Sequence, residues 1–268
     1  MIKRRPIYII GDVHGHLQKL IELLQDDIRV LDDDLRWIGR DASLWFLGDF
    51  FDRGPDGVGV VDLVMRLQQE ATADGGQVRA LLGNHDFTIL SAYRFPDVRT
   101  KGPIGNFKGD WKRNGGQDND LTRLEPHHIE WLLSLPAMAR VEGRLLMHAD
   151  STLYMRYGRT VEEVNAAFSE ILHSDDVEKW DRMLSEFSEH KAFSDRGKNG
   201  MASATEFMRV YGGAQIVHGH TPISTMTSQP ASKVVAPYYY ANGLCVNVDG
   251  GMYLGGPGFV HELPPLLL

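Results

Sequence analysis

The chain has 268 residues, 43% of them hydrophobic and 24% charged, which is enough apolar material for a sizeable core and unlike the composition of a disordered segment. A net charge of −8 excludes a broad sequence-independent nucleic-acid surface, because phosphate backbones are gripped by clustered Lys and Arg; no nucleic-acid partner is expected. The single cysteine, Cys245, excludes an intrachain disulfide and reads as a small buried hydrophobe between Leu244 and Val246.

Residues 7–10 are too short a stretch for a signal-peptide core, and no segment approaches the ~20 apolar residues that cross a bilayer. A cytoplasmic protein with no membrane partner is the expectation. The length fits one domain, 1–268, in preference to two small ones.

In chain order, short apolar runs each end in glycine and a polar cluster: IYII before GDVHG, LWFL before GDFFDRG, VRALL before GNHD, LLM before HAD, and QIV before HGH. Continuous runs of this length predict strands buried on both faces, with the polar clusters at their ends. Between the first three, Leu17, Leu20, Ile21 and Leu24 recur at helical spacing, as do Val58, Val61, Leu63, Val64 and Leu67. The chain therefore begins βαβαβ. Residues 101–120, KGPIGNFKGDWKRNGGQDND, predict a long surface loop. Pro126 predicts a helix start running through Trp131 and Leu132. Thr160 with Glu163, and Ser203 with Glu206, form capping-box patterns. The tail, LCVNVDGGMYLGGPGFVHEL, alternates short apolar stretches with glycine as hairpins do. The class is α/β.

Ligands in such folds gather outside the carboxyl ends of strands, so clusters distant in sequence can share one pocket. The strand-end residues Asp12, His14, Asp49, Asn84, His85, His148, His218 and His220 supply hard oxygens and imidazole nitrogens without a thiolate. That mixture suits Mn, Fe or Zn and exceeds the needs of one ion, so two are implied. Residues two apart in an extended segment share a face, which lets Asp12 and His14 reach one ion, and likewise the region around His218 and His220. Gly219 between the last two leaves room for close backbone approach, and the two oxygens of Asp49 could bridge both ions.

GDVHG, GDFFDRG, GNHD, the histidine of LLMHAD and HGHTP, in that order over residues 11–222, resemble the calcineurin-like metallophosphoesterase signature. The DRG element resembles the phosphoprotein phosphatase branch, serine/threonine phosphatase-like and of bacterial type. The resemblance implies a four-layer αββα sandwich, two mixed sheets face to face with helices outside. It implies two divalent ions, Mn first with Fe or Zn as alternatives: Asp12, His14, Asp49 and His220 for one, Asp49, Asn84, His148 and His218 for the other. It implies in-line attack on a phosphomonoester by a hydroxide held between them, without a phosphoenzyme.

Arg53 then becomes the bidentate phosphoryl clamp, assisted by Arg196 of SDRGKNG. His85, oriented by Asp52, becomes the acid that protonates the leaving oxygen, and a neighbouring carboxylate is expected to raise its pKa. Asn84 and Asn114, the latter within a WKRNGG segment resembling one in bacterial and phage phosphatases, join the substrate-binding set. The expected substrate is a phosphorylated protein, peptide or small molecule, with phosphoserine and phosphothreonine foremost. Because GNHD also resembles bacterial diadenosine tetraphosphate hydrolases, symmetrical dinucleoside polyphosphate hydrolysis is the alternative.

Overall fold

The computed structural model describes residues 5–194 and 199–265. Each apolar run forms a short strand, in order β1 Ile7–Ile10, β2 Ser43–Phe46, β3 Gln77–Ala80, β4 Met138–Val141, β5 Arg144–Met147, β6 Gln215–His218, β7 Tyr238–Tyr240, β8 Cys245–Asn247 and β9 His261–Glu262. Among the described residues these make two mixed sheets, ordered β3-β2-β1-β9 and β4-β5-β6-β8-β7. β1, β2 and β3 run parallel, as do β5, β6 and β8, while β9, β4 and β7 are antiparallel edges.

Alternation along the strands separates two apolar layers. Ile9, Leu47, Leu81, Leu146, Val217 and Val246 are fully buried against one another between the sheets. Their neighbours Leu44, Phe46, Leu145, Met147, Ile216 and Cys245 face the helical layers, packed with side chains such as Val61, Leu67, Phe168 and Phe207. The helix Gly57–Ala73 lies on β3 and the helix Gly200–Tyr211 on β6. Strands buried on both faces in this way read as unbroken apolar runs, which is why the sequence shows them so clearly.

Register then fixes where the chemistry sits. Ile10, Phe46 and Ala80 lie side by side, so β1, β2 and β3 end level; Met147, His218 and Asn247 do the same in the second sheet. The segments after these strands consequently meet along one edge of the sandwich.

Three local expectations are corrected. Residues 101–120 are not a continuous loop: helices span Phe107–Arg113 and Asp118–Arg123. Asn106 caps the first of them by accepting the Gly109 N–H, and burial of Phe107 and Trp111 outweighs the glycine content. Ser203 lies inside its helix, which begins at Gly200 three residues earlier. The tail does not fold on itself as hairpins: β8 pairs with β7, which precedes the tail, and β9 crosses to the other sheet and pairs with β1.

One side chain locks the ends of β2 and β3 together. Asp86, fully buried at the start of the helix Asn84–Arg94, accepts the backbone N–H of Gly83 at 2.9 Å, of Asp49 at 2.9 Å and of Phe50 at 2.8 Å. Replacing it with alanine leaves three buried donors unpaired. Asp86→Ala is therefore expected to lower the unfolding free energy by about 3 kcal/mol or more, read from the urea midpoint, whereas a loss below about 1 kcal/mol would show that water replaces the carboxylate.

Candidate active site

The ends of β1, β2, β3 and β6 line a pocket of about 290 Å³ that includes His14, Asp49, Arg53, Asn84, His85 and His220, and His148 from the end of β5 lies buried behind it against Asn84. Asp12 and His14 follow β1, Asp49 follows β2, Asn84 and His85 follow β3, His148 follows β5 and His220 follows β6. The turns are tight. His14, Asp49, Asp52, Arg53 and His220 all have positive φ, between 48° and 70°, in the left-handed region that non-glycine residues seldom occupy. Close approach makes some glycines obligatory: a Cβ on Gly83 would come within 2.2 Å of the Asp49 carboxylate, and one on Gly219 within 2.2 Å of that of Asp12.

Backbone carbonyls set the histidine tautomers. His14 Nδ1 donates to the Phe51 carbonyl at 2.8 Å, and His148 Nδ1 donates to that of Leu47 at 2.9 Å. The Nε2 lone pairs are thereby turned into the pocket. His14 Nε2 lies 3.9 Å from Asp12 Oδ2 and 3.6 Å from Asp49 Oδ2. His148 Nε2 lies 2.9 Å from Asn84 Oδ1, 3.3 Å from Asp49 Oδ1 and 3.2 Å from His220 Nδ1. Asn84 Oδ1 is also 2.8 Å from His220 Nδ1. Two donor sets result, Asp12/His14/Asp49 and Asp49/Asn84/His148/His220, with Asp49 common to both.

His220 thus stands with the second set, and His218 with neither. His218 Nδ1 donates to the Gly219 carbonyl at 2.9 Å, and its Nε2 accepts from the Tyr240 hydroxyl at 2.7 Å, so neither nitrogen has a lone pair to offer. The spacing rule used on the sequence assumes an extended chain through Gly219. Instead His218, the last residue of β6, shares the helix-facing side of its sheet with Ile216 and Tyr240, and the left-handed turn at His220 reorients the chain.

The donor sets fit divalent cations. Asp12, Asp49 and Asp249 are at most 2% exposed, and Asp249 Oδ2 is a buried oxygen without a hydrogen-bond partner. Burial, then the charge of Asp249, raises the Asp12 pKa well above the usual carboxylate range; burial, then Asp86, does the same for Asp49. Burial pushes Asp249 up to about 7. Buried like charges with converging lone pairs are what a bound cation stabilises.

Beside these sets lie the remaining predicted residues. His85 Nδ1 donates to Asp52 Oδ2 at 2.7 Å, and Asp52 Oδ1 accepts the Trp111 indole N–H at 2.7 Å. Arg53 Nη2 donates to His85 Nε2 at 3.1 Å, and its guanidinium stacks on the Tyr253 ring, 3.9 Å from the centroid. Here the expected pKa direction for His85 is overturned. Burial, with the Arg53 charge adding to it, lowers His85 to about 3, while burial raises Asp52 to about 8. Desolvation of both partners outweighs their attraction.

Asn114, exposed at the pocket mouth, donates to the Asp110 carbonyl at 3.0 Å. Arg196 lies outside the described residues. Tyr253, Asp86 and Asp249 escaped the sequence reading, although an aromatic framed by glycine pairs in GGMYLGG and the aspartates of GNHD and VDGG were visible signals. Asp150 is fully buried, accepting from Thr221 Oγ1 at 2.6 Å and the Lys191 N–H at 2.9 Å, and so ties the end of β5 to two other segments.

These shifts make stability depend on pH. A carboxyl with a raised folded pKa contributes stability at low pH that is lost as pH rises through its folded value; a histidine with a lowered pKa loses its contribution as pH falls below the ordinary 6.5. Above 6.5 only the carboxyls act, with Asp86 and Asp249 raised to about 7 and Asp52 to about 8. The melting temperature of EDTA-treated protein should therefore fall from pH 6.5 to pH 8, and added MnCl2 should flatten or reverse the trend by favouring ionised ligands. A flat metal-free profile would contradict the buried-charge account.

The profile of the calcineurin-like phosphoesterase family matches residues 5–243. The chain is 30% identical over 147 residues to Shewanella-like protein phosphatase 1 of Plasmodium berghei, covering 55% of this chain and 39% of that protein. It is 33% identical over 143 residues to the symmetrical bis(5'-nucleosyl)-tetraphosphatase of Bordetella pertussis, covering 53% and 43%. It thus spans less than half the length of these curated relatives. The solved cold-active protein-tyrosine phosphatase of a psychrophilic Shewanella species shares the fold, with a TM-score of 0.72, 22% identity and coverage of 96% of this chain and 75% of the other. Matched over most of its length and built as two mixed sheets flanked by helices, the chain belongs to the calcineurin-like phosphoesterase family.

Proposed function

We propose that the protein is a two-metal phosphomonoesterase acting in the cytoplasm on phosphorylated proteins or peptides, with phosphoserine and phosphothreonine foremost. The observation that supports this most is the joining of two donor sets through Asp49 beside an arginine placed for a phosphoryl group. In this reading Asp12, His14 and Asp49 hold one divalent ion and Asp49, Asn84, His148 and His220 the other, with manganese the first choice. When bound, such a pair of ions supplies a nucleophile at neutral pH and neutralises phosphoryl charge.

The chain's own residues do the rest. Arg53 is held by the Tyr253 ring, and a planar guanidinium can clamp two phosphoryl oxygens while remaining charged at any working pH. In the free site it donates to His85 Nε2. An arriving dianion takes over that donor and adds negative charge next to the imidazole. Both changes raise the affinity of His85 for a proton at Nε2, from which the leaving oxygen is protonated. Asp52 orients the ring from the other side, itself fixed by Trp111. Trp111 and Tyr253 are positioning residues.

The dinucleotide alternative draws on the Bordetella pertussis relative, and a substrate panel separates the two. With MnCl2, FeSO4 or ZnCl2 supplied, a phosphoserine peptide should show a higher kcat/KM than diadenosine tetraphosphate; the opposite order would establish the alternative. His85→Asn should retain bound metal by elemental analysis while kcat falls about 10²–10⁴-fold. Arg53→Ala should lower kcat/KM by about 10²–10³. Loss of metal from His85→Asn would refute the division of roles.

A further inference from the structure

Asp249, outside both donor sets, carries a charge that its local structure does not explain. It follows β8, is fully buried, and uses all but one of its polar atoms to hold the turn there. Its N–H donates to Asn247 Oδ1 at 2.8 Å, its carbonyl accepts the Ile223 N–H at 3.1 Å, and Oδ1 accepts the Gly251 N–H at 2.8 Å. Oδ2 alone has no partner among the described residues, and it is closed to solvent. Asparagine would serve this turn equally well, since its side-chain oxygen accepts an N–H two residues on without taking a charge out of water. Asn247 shows the neutral solution in the same segment: its Oδ1 accepts the Asp249 N–H and its Nδ2 donates to the Thr221 carbonyl at 2.6 Å. The turn therefore accounts for the oxygen Oδ1 and leaves the negative charge unaccounted for.

That charge stands beside Asp12. β1 and β8 belong to different sheets, yet the segments after them touch: a Cβ on Gly11 would come within 2.4 Å of the Val248 carbonyl oxygen and 3.1 Å of the Asp249 Cα. Asp12 and Asp249 flank this point of contact. After burial, the charge of Asp249 is the largest influence raising the Asp12 pKa, ahead of that of Asp49, which shares a donor set with Asp12. Arg53 lends Asp249 some positive field but forms no ion pair with it, its guanidinium being turned to His85 and the Tyr253 ring. A cation among Asp12, His14 and Asp49 is the counter-charge that remains. This set has three side chains where Asp49, Asn84, His148 and His220 make four.

We infer that Asp249 is a positioning residue for the divalent ion of the Asp12/His14/Asp49 set, its carboxylate strengthening from beside Asp12 the hold of a set that has one donor fewer. This rests on the two-metal reading and adds a residue to it. Partners placed behind the donors of an ion commonly govern its affinity by one to two orders of magnitude.

The test titrates the full chain, stripped of metal with EDTA, with MnCl2 and in parallel with ZnCl2, followed by calorimetry. The wild type should take up two ions; in Asp249→Asn one of them should bind about 10–100-fold more weakly and the other within about twofold. Metal-free Asp249→Asn should melt no lower than the metal-free wild type, because the turn keeps its acceptor and a buried charge is gone, while the rise in melting temperature on adding MnCl2 should shrink. A purely structural role gives another pattern, a lower metal-free melting temperature with an unchanged isotherm or with both ions weakened alike, and either result overturns the inference. In a His14→Ala background, where the ion of that set is already weakened, Asp249→Asn should leave the tighter ion within about twofold; a further loss there would give Asp249 to the other set and overturn the assignment. Two ions held equally by wild type and Asp249→Asn refute the inference and leave the two-metal reading standing, whereas a wild type that takes up fewer than two ions of either metal refutes both.

Discussion

Buried negative charge is the constraint to which the rest of this structure answers. Asp12, Asp49, Asp86 and Asp249 are withdrawn from water at the ends of neighbouring strands, and Asp52 is close behind them. Isolated carboxylates in such surroundings take up a proton or acquire a counter-charge. Backbone N–H groups serve Asp86 three times over and Asp12 from His220, and Arg53 lends its field to several of them. What remains uncompensated lies between Asp12, Asp49 and Asp249, where the imidazole lone pairs of His14 and His148 also converge. The architecture brings like charges together and leaves a place for cations to reconcile them.

Holding that arrangement requires unfavourable backbone. Left-handed conformations at five non-glycine site residues each carry a local penalty of roughly 1–2 kcal/mol, and they survive because the sandwich beneath over-determines them. The level endings of β1, β2 and β3, the apolar layer between the sheets and the Asp86 clamp supply that support. Regular packing in one part of the molecule sustains irregular geometry in another.

This division explains what could be read from the sequence. Strands buried on both faces announce themselves as unbroken apolar runs, and the glycine-flanked polar clusters mark their ends, so the strands and most of the donors were legible, while the division into two sheets came with the family resemblance. The failures arise where three-dimensional context reverses a local rule. His218 and His220 look equivalent two residues apart, yet strand parity gives one to Tyr240 and a left-handed turn gives the other to Asn84. A carboxylate next to His85 ordinarily raises its pKa, but depth of burial is invisible in a string of letters and dominates here. Helix Phe107–Arg113 was hidden by glycines because its stabilisation comes from the burial of Phe107 and Trp111. Tyr253 could not be tied to Arg53 without knowing that the segment after β8 folds back over the turn after β2.

The pairing of β9 with β1 carries a consequence for biosynthesis. β1 is made first and β9 more than two hundred residues later, so a nascent chain exposes one side of β1 as a bare edge throughout most of its translation. Such edges recruit foreign strands. Its parallel partner β2 covers only the opposite flank, so that edge of β1 has no strand partner in the fold until β9 is in place. Mutations that weaken the short Tyr8–Glu262 and Ile9–His261 contacts would then surface as poor yield in the cell before any defect appeared in the purified protein.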